Sequence, residues 1–124
     1  MNQKIVFPTN ERHGLLSKRS AHFGRAHFYT LVEINAEGKI EEVTVVQNEG
    51  HQDSGCGGAV ENIQKLGADV LIVSGIGGSP LHGFIQKGIA VFVDNTSQTV
   101  QQSIDAFLGD KIPLMRPEMS CSHH

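Results

Sequence analysis

The chain has 124 residues, enough for one domain with a real hydrophobic core. Hydrophobic residues make up 39% and glycine fills 14 positions, a composition that fits a loop-rich α/β protein. The net charge is −3, only 6% of residues are aromatic and there is no Trp, so neither the overall field nor the stock of stacking side chains suits nucleic acid.

The two cysteines, Cys56 and Cys121, form no Cys-x-x-Cys pair and no disulfide framework. No apolar run approaches the length of a signal peptide or a membrane span. The expected setting is a reducing cytoplasm, with both thiols free and no membrane partner.

Taken in order, Lys4-Ile5-Val6-Phe7 predicts a first strand ended by Pro8. A long connection, residues 8–26, follows. The second strand runs from His27 to Asn35, with Phe28, Thr30, Val32 and Ile34 on one face and Tyr29, Leu31 and Glu33 on the other. Ala36-Glu37-Gly38 reads as a hairpin connection to a third strand at 39–47, where Ile40 is out of phase with Val43 and Val45 and suggests a bulge.

A second glycine-rich connection, 48–58, precedes a helix at about 58–66 that turns Ala59, Val60, Ile63 and Leu66 inward and stops at Gly67. Val70-Leu71-Ile72-Val73 is continuously apolar, as expected of a strand covered on both faces. After the turn Ser74-Gly75-Ile76-Gly77-Gly78, Ser79 is placed to cap a second helix and Pro80 to begin it; the helix ends at Gly88. Residues 89–93 form the last strand. Val100, Ile104, Phe107 and Leu108 have the spacing of a third amphipathic helix closed by Gly109. The domain is therefore 1–109, and 110–124, with two prolines and little periodicity, reads as a mobile tail.

The order βββαβαβα with right-handed crossovers predicts a mixed five-stranded sheet in the order 3-2-1-4-5, strand 2 antiparallel to the rest and helices on both faces. This is a ribonuclease H-like arrangement. It brings the connections 8–26, 48–58 and 74–79 to the carboxyl ends of the strands, where open α/β sheets bind ligands.

That edge would gather His22, Arg25, His51, Cys56 and two helix starts. Within it, Ser20-Ala21-His22-Phe23-Gly24-Arg25-Ala26-His27-Phe28 is too rich in His, Gly and Arg for a strand interior or a helix face. An imidazole can bind a metal, a glycine admits close backbone approach and a guanidinium neutralises negative charge. The same composition fits a surface loop with incidental histidines. Arg12, Lys18, Arg19 and Arg25 make the region locally cationic on an acidic protein, which suits a compact anion. Arg19 itself reads as a solvated surface cation.

His22-Phe23-Gly24-Arg25-Ala26, the aromatic strand after it, and Ile76-Gly77-Gly78 with the Gly88 turn resemble the dinitrogenase iron–molybdenum cofactor biosynthesis family over about residues 3–108. The resemblance implies a small, non-catalytic carrier or chaperone domain of ribonuclease H-like fold. Its cargo would be an iron–sulfur or molybdenum-containing cluster, exchanged with a donor or acceptor protein. It makes His22 the lead ligand and Arg25 a partner for the cluster's charge, with Gly24, Gly57 and Gly77 lining the site. The family's middle loop is glycine-rich and often lacks a thiol, so Cys56 in Gly55-Cys56-Gly57-Gly58 is a departure.

Cys56, expected just before a helix start, has the setting of a low-pKa thiol and is a second candidate ligand. His51, five residues earlier, is a third, against the plainer reading of His51 and Asp53 as loop residues. Cys121-Ser122-His123-His124 could grip a metal or simply fray. Gly75-Ile76-Gly77-Gly78 is neither a dinucleotide fingerprint nor a phosphate loop. A nuclease on this fold would need carboxylates for two metal ions, one on the first strand, and Lys4-Ile5-Val6-Phe7 has none. A metal-free interaction or regulatory module remains the alternative to a carrier.

Overall fold

The computed structural model describes residues 2–20, 26–48, 56–76 and 78–115. Strand β1 spans Gln3–Thr9, β2 Phe28–Ile34, β3 Ile40–Gln47, β4 Val70–Val73 and β5 Ala90–Val93; helix α1 spans Cys56–Lys65, α2 Gly78–Gln86 and α3 Val100–Leu108. One five-stranded sheet runs β3-β2-β1-β4-β5, with β2 antiparallel to both neighbours and β1, β4 and β5 parallel. The predicted topology is the observed one.

Period-two alternation splits each inner strand between two cores. Val6, Tyr29, Leu31, Leu71, Val73 and Val91 pack with Val60 and Ile63 of α1 and Leu81 and Phe84 of α2. Ile5, Phe7, Val32, Ile34, Val70 and Ile72 face Val100 and Ile104 of α3 on the other side. The alternating faces expected of β2 are these two cores. The bulge suggested by Ile40 lies where Glu33 pairs with Glu42 but Ile34 pairs with Ile40, leaving Glu41 as the extra residue.

Three boundaries differ from expectation. β1 continues through Pro8 to Thr9 instead of stopping at Phe7. Pro8 is tolerated because the ladder to β4 ends at Val6–Leu71, so no bond from its nitrogen to that strand is needed, while β2 pairs along the whole strand. α2 begins at Gly78, so Ser79 and Pro80 lie inside its first turn, where a proline breaks no internal bond. Residues 113–115 are not free tail. The Val93 N–H donates to the Pro113 carbonyl at 3.1 Å and the Met115 N–H to the Val91 carbonyl at 2.7 Å, covering the β5 edge. The expected tail beyond Met115, with Cys121 to His124, lies outside the described residues.

Thr99 and Gln102 form a reciprocal capping box that starts α3. Gly67 and Gly88, at φ of +79° and +80°, supply the left-handed residues after α1 and α2. No helix among the described residues is long and apolar enough to cross a membrane.

Candidate functional site

Thr9 at the end of β1 pairs with Phe28 at the start of β2, and Phe28 pairs with Gln47 at the end of β3. Three strand ends thus stand in a row, and β4 and β5 end beside them at Val73 and Val93. The connections after β1, β3, β4 and β5 all leave from this carboxyl-end rim, while the hairpin at 35–39 is at the opposite end.

Asn48 fastens two of these connections together. Its backbone N–H donates to the His27 carbonyl at 2.9 Å, and its side-chain amide to the Ala26 carbonyl at 2.8 Å. The residue is 2% exposed, so water offers no substitute partner for either bond. The end of the first long connection and the start of the second therefore share one anchor.

Residues 10–20 form a strap with a short 3-10 turn at Gly14–Leu16. Its bonds are mostly backbone ones: the Arg19 N–H to the Gln98 carbonyl at 2.9 Å, the Val100 N–H to the Ser17 carbonyl at 3.1 Å, and the Ser20 N–H to the Pro8 carbonyl at 2.8 Å. The Ser17 hydroxyl accepts from the His13 N–H at 2.7 Å. The strap thereby ties the top of β1 to the start of α3.

Arg19 is not the solvated cation its sequence setting suggested; its side chain is only 2% exposed. The backbone pairing of Arg19 with Thr9 aligns this residue with the sheet. Its Nη1 donates to the carbonyls of Asp94 at 2.6 Å and Ser97 at 3.0 Å. The Asp94 carboxylate is 3.9 Å away. Among the described residues, buried Nε and Nη2 have no hydrogen-bond acceptor. Burial pulls the guanidinium below its ordinary pKa, and the charge of Asp94 opposes that shift.

Asp94 is satisfied by other groups. Oδ1 accepts from the Thr96 N–H and hydroxyl, both at 3.0 Å, and from the Ser97 N–H at 3.1 Å; Oδ2 accepts from the Ser103 hydroxyl at 2.7 Å. Burial works to raise its pKa. Hydrogen bonds from the Ser97 and Ser103 side chains and the Thr96 and Ser97 backbone outweigh that and hold the carboxyl well below the usual carboxylate range.

The sequence profile of the dinitrogenase iron–molybdenum cofactor family matches residues 1–110. The chain belongs to this family. Its fold is shared with the crystal structure of PH0822, at 27% identity and TM-score 0.74 over 91% of this chain and 96% of that one. The apo orange protein of Desulfovibrio gigas is similar in fold, at 24% identity and TM-score 0.75 over 91% and 92% of the two chains. So is TM1290 from Thermotoga, solved by NMR and placed in the DUF35 family, at 24% identity and TM-score 0.75 over 97% and 98%. No curated protein matches the sequence.

Of the residues expected to form the site of this family member, His22, Gly24, Arg25, His51 and Gly77 lie outside the described residues, as does Asp53. Cys56 and Gly57 are the first two residues of α1, which begins two residues earlier than its sequence pattern suggests. Ser20, Ala26, Asn48 and Ile76, which bracket undescribed residues, lie in connections of the same rim, and Cys56 and Gly78 open the helices that follow two of them. Among the described residues no three His, Cys, Asp or Glu side chains converge.

Sequence reasoning passed over Asn48, Asp94 and Ser103. A readable signal existed for one of them. Asp94 followed by Thr96 and Ser97 after an apolar strand is the pattern of a side chain capping its own turn. Asn48 carried no such signal, because its acceptor is 22 residues away.

Proposed function

We propose that this family member is a carrier: it binds an anionic iron–sulfur or molybdenum-containing cluster at the carboxyl-end rim and passes it to an acceptor protein, catalysing no reaction on it. The observation that carries the reading is the Asn48 clamp, which joins the root of the segment holding His22 to the root of the segment leading to Cys56. Family membership supplies the class of guest.

In this reading His22 and Cys56 are the metal ligands, with His51 as a further donor. Arg25 offsets the cluster's negative charge, and Gly24, Gly57 and Gly77 let backbone N–H groups approach its sulfides. Imidazole suits iron and thiolate suits iron–sulfur clusters, and few ligands leave the guest removable. Cys56 is the first residue of α1.

The test is anaerobic reconstitution with iron, molybdate and sulfide, followed by desalting, metal analysis and visible absorption. Coloured protein with near-stoichiometric metal is expected. Colourless, metal-free protein after reconstitution with each cluster type would overturn the reading and favour a metal-free interaction module.

A further inference from the structure

We infer that the free edge of β3, over Val43–Gln47, pairs antiparallel with the same edge of a second copy of this chain. The inference stands apart from the carrier reading and is tested on metal-free protein.

The two edges of the sheet are finished differently. Beyond β5, residues 113–115 bond to the strand through the Pro113 carbonyl and the Met115 N–H. Beyond β3 no strand follows among the described residues. The bond from the Asn48 N–H to the His27 carbonyl sets the phase of the β2–β3 ladder, so Thr44 and Val46 turn their backbone groups toward Leu31 and Tyr29. Val43, Val45 and Gln47 therefore point their N–H and C=O groups outward, and among the described residues none of the three makes a further hydrogen bond.

Only one half of this edge is protected. Toward the hairpin, the bulge at Glu41 and the charges of Glu41 and Glu42 interrupt pairing, as natural sheet edges do. Val43-Thr44-Val45-Val46-Gln47 carries no charge, proline or bulge, and its β-branched run from Val43 to Val46 suits a pleated partner. Thr44 and Gln47 are exposed, and Val43 and Val45 are partly so. The 3-10 turn lies against this stretch, with Val43 Cγ1 3.6 Å from a Cβ built on Gly14. Its Leu16 is 73% exposed, more than any other large hydrophobic side chain among the described residues.

A second copy is the occupant these residues fit. A twofold axis at Thr44 sets Val43 opposite Val45 on each side, as hydrogen-bonded pairs, with Thr44 opposite Thr44 between them. Thr–Thr pairs are favourable, and like charges directly opposite are not. In this register Glu42 faces Val46, so the acids of the two copies stand at opposite ends of the joint. A parallel copy would stack them. The axis is perpendicular to the sheet, which brings both 3-10 turns, each with its Leu16, to the same face. The joined sheet carries the two carboxyl-end rims at opposite ends.

Sedimentation velocity of the metal-free full chain, in reductant and from about 1 μM to about 1 mM, reads the association. Wild type should rise from 13.4 kDa to twice that mass. Thr44→Glu sets acids directly opposite each other and should weaken association at least about tenfold. Val45→Pro removes an outward N–H that the β2 ladder does not use and should be monomeric throughout. Cross-linking reads the register. In a Cys56→Ser, Cys121→Ser background, Thr44→Cys should oxidise to a covalent dimer, because facing residues of a non-hydrogen-bonded pair lie within disulfide reach. Gln47→Cys, about 20 Å from its twin along the strands, should not.

Wild type that stays at 13.4 kDa through the top concentration overturns the inference and leaves this edge to a different protein or to solvent. A dimer that Thr44→Glu leaves intact overturns it too, as does oxidation that links Gln47→Cys and not Thr44→Cys. If Val45→Pro does not fold, Thr44→Glu, a change at an exposed side chain, decides. Each of these failures leaves the carrier reading intact.

Discussion

The side-chain amide of Asn48 donates to the carbonyl of Ala26 across 2.8 Å of buried space. Asn48 follows β3 and Ala26 precedes β2, so the bond joins the bases of two connections. Asn48→Ala leaves the Ala26 carbonyl without this donor and should cost about 1–3 kcal/mol of stability. Asn48→Asp should cost at least as much, since a carboxylate cannot donate. Urea denaturation of metal-free protein checks both, and the loaded alanine variant should release its cluster faster than wild type.

Asp94 makes acid stability predictable. Its folded pKa lies below the unfolded value near about 4, so its contribution is complete above that pH and is lost as pH falls toward the folded value. Asp94→Asn should therefore be less stable than wild type at neutral pH, by about 1–3 kcal/mol. It should also show a shallower decline below about pH 4. Equilibrium unfolding between neutral and strongly acid pH measures both limbs. Parallel curves would contradict the assignment.

Gly88 offers a control remote from the rim. It sits at φ +80° between α2 and β5, and a Cβ there would meet no atom within 4 Å, so only backbone strain opposes a side chain. Gly88→Ala should lower stability by about 1 kcal/mol and leave cluster uptake unchanged. Thermal denaturation and metal analysis of the same preparation test the pair of outcomes.

Sequence reasoning reached far into the fold because alternation and glycine placement are local signals. Tyr29 and Leu31 against Val32 and Ile34, the phase of Ile40, and the stops at Gly67 and Gly88 were all legible before any coordinates. Pro8 misled because its penalty depends on whether the neighbouring ladder extends that far, and here it does not. Arg19 misled for a deeper reason. Its Nη1 acceptors lie 75 and 78 residues away, and no periodicity within the strap announces that its side chain turns inward. The rim was legible through topology, while most of the residues expected to bind there lie outside the described ones. Which long-range bonds hold its segments, as with Asn48 and Ala26, depends on the folded geometry alone.

The proposed ligands make separable predictions. Cys56→Ser and His22→Ala should each reduce iron or molybdenum per chain after anaerobic reconstitution, and the double variant should take up less than either. Urea denaturation of the metal-free single variants, run beside wild type, separates lost uptake from lost stability. Full uptake by Cys56→Ser would remove that thiol from the ligand set.

The most direct test of the central claim is an amide NMR comparison of metal-free and reconstituted protein. The account predicts shifted or broadened signals at Ser20, Ala26, Asn48, Ile76 and Gly78, with Glu37, Gly38 and Lys39 of the far hairpin unchanged. Perturbation centred on that hairpin, or a bound cluster that leaves the rim amides untouched, would contradict it.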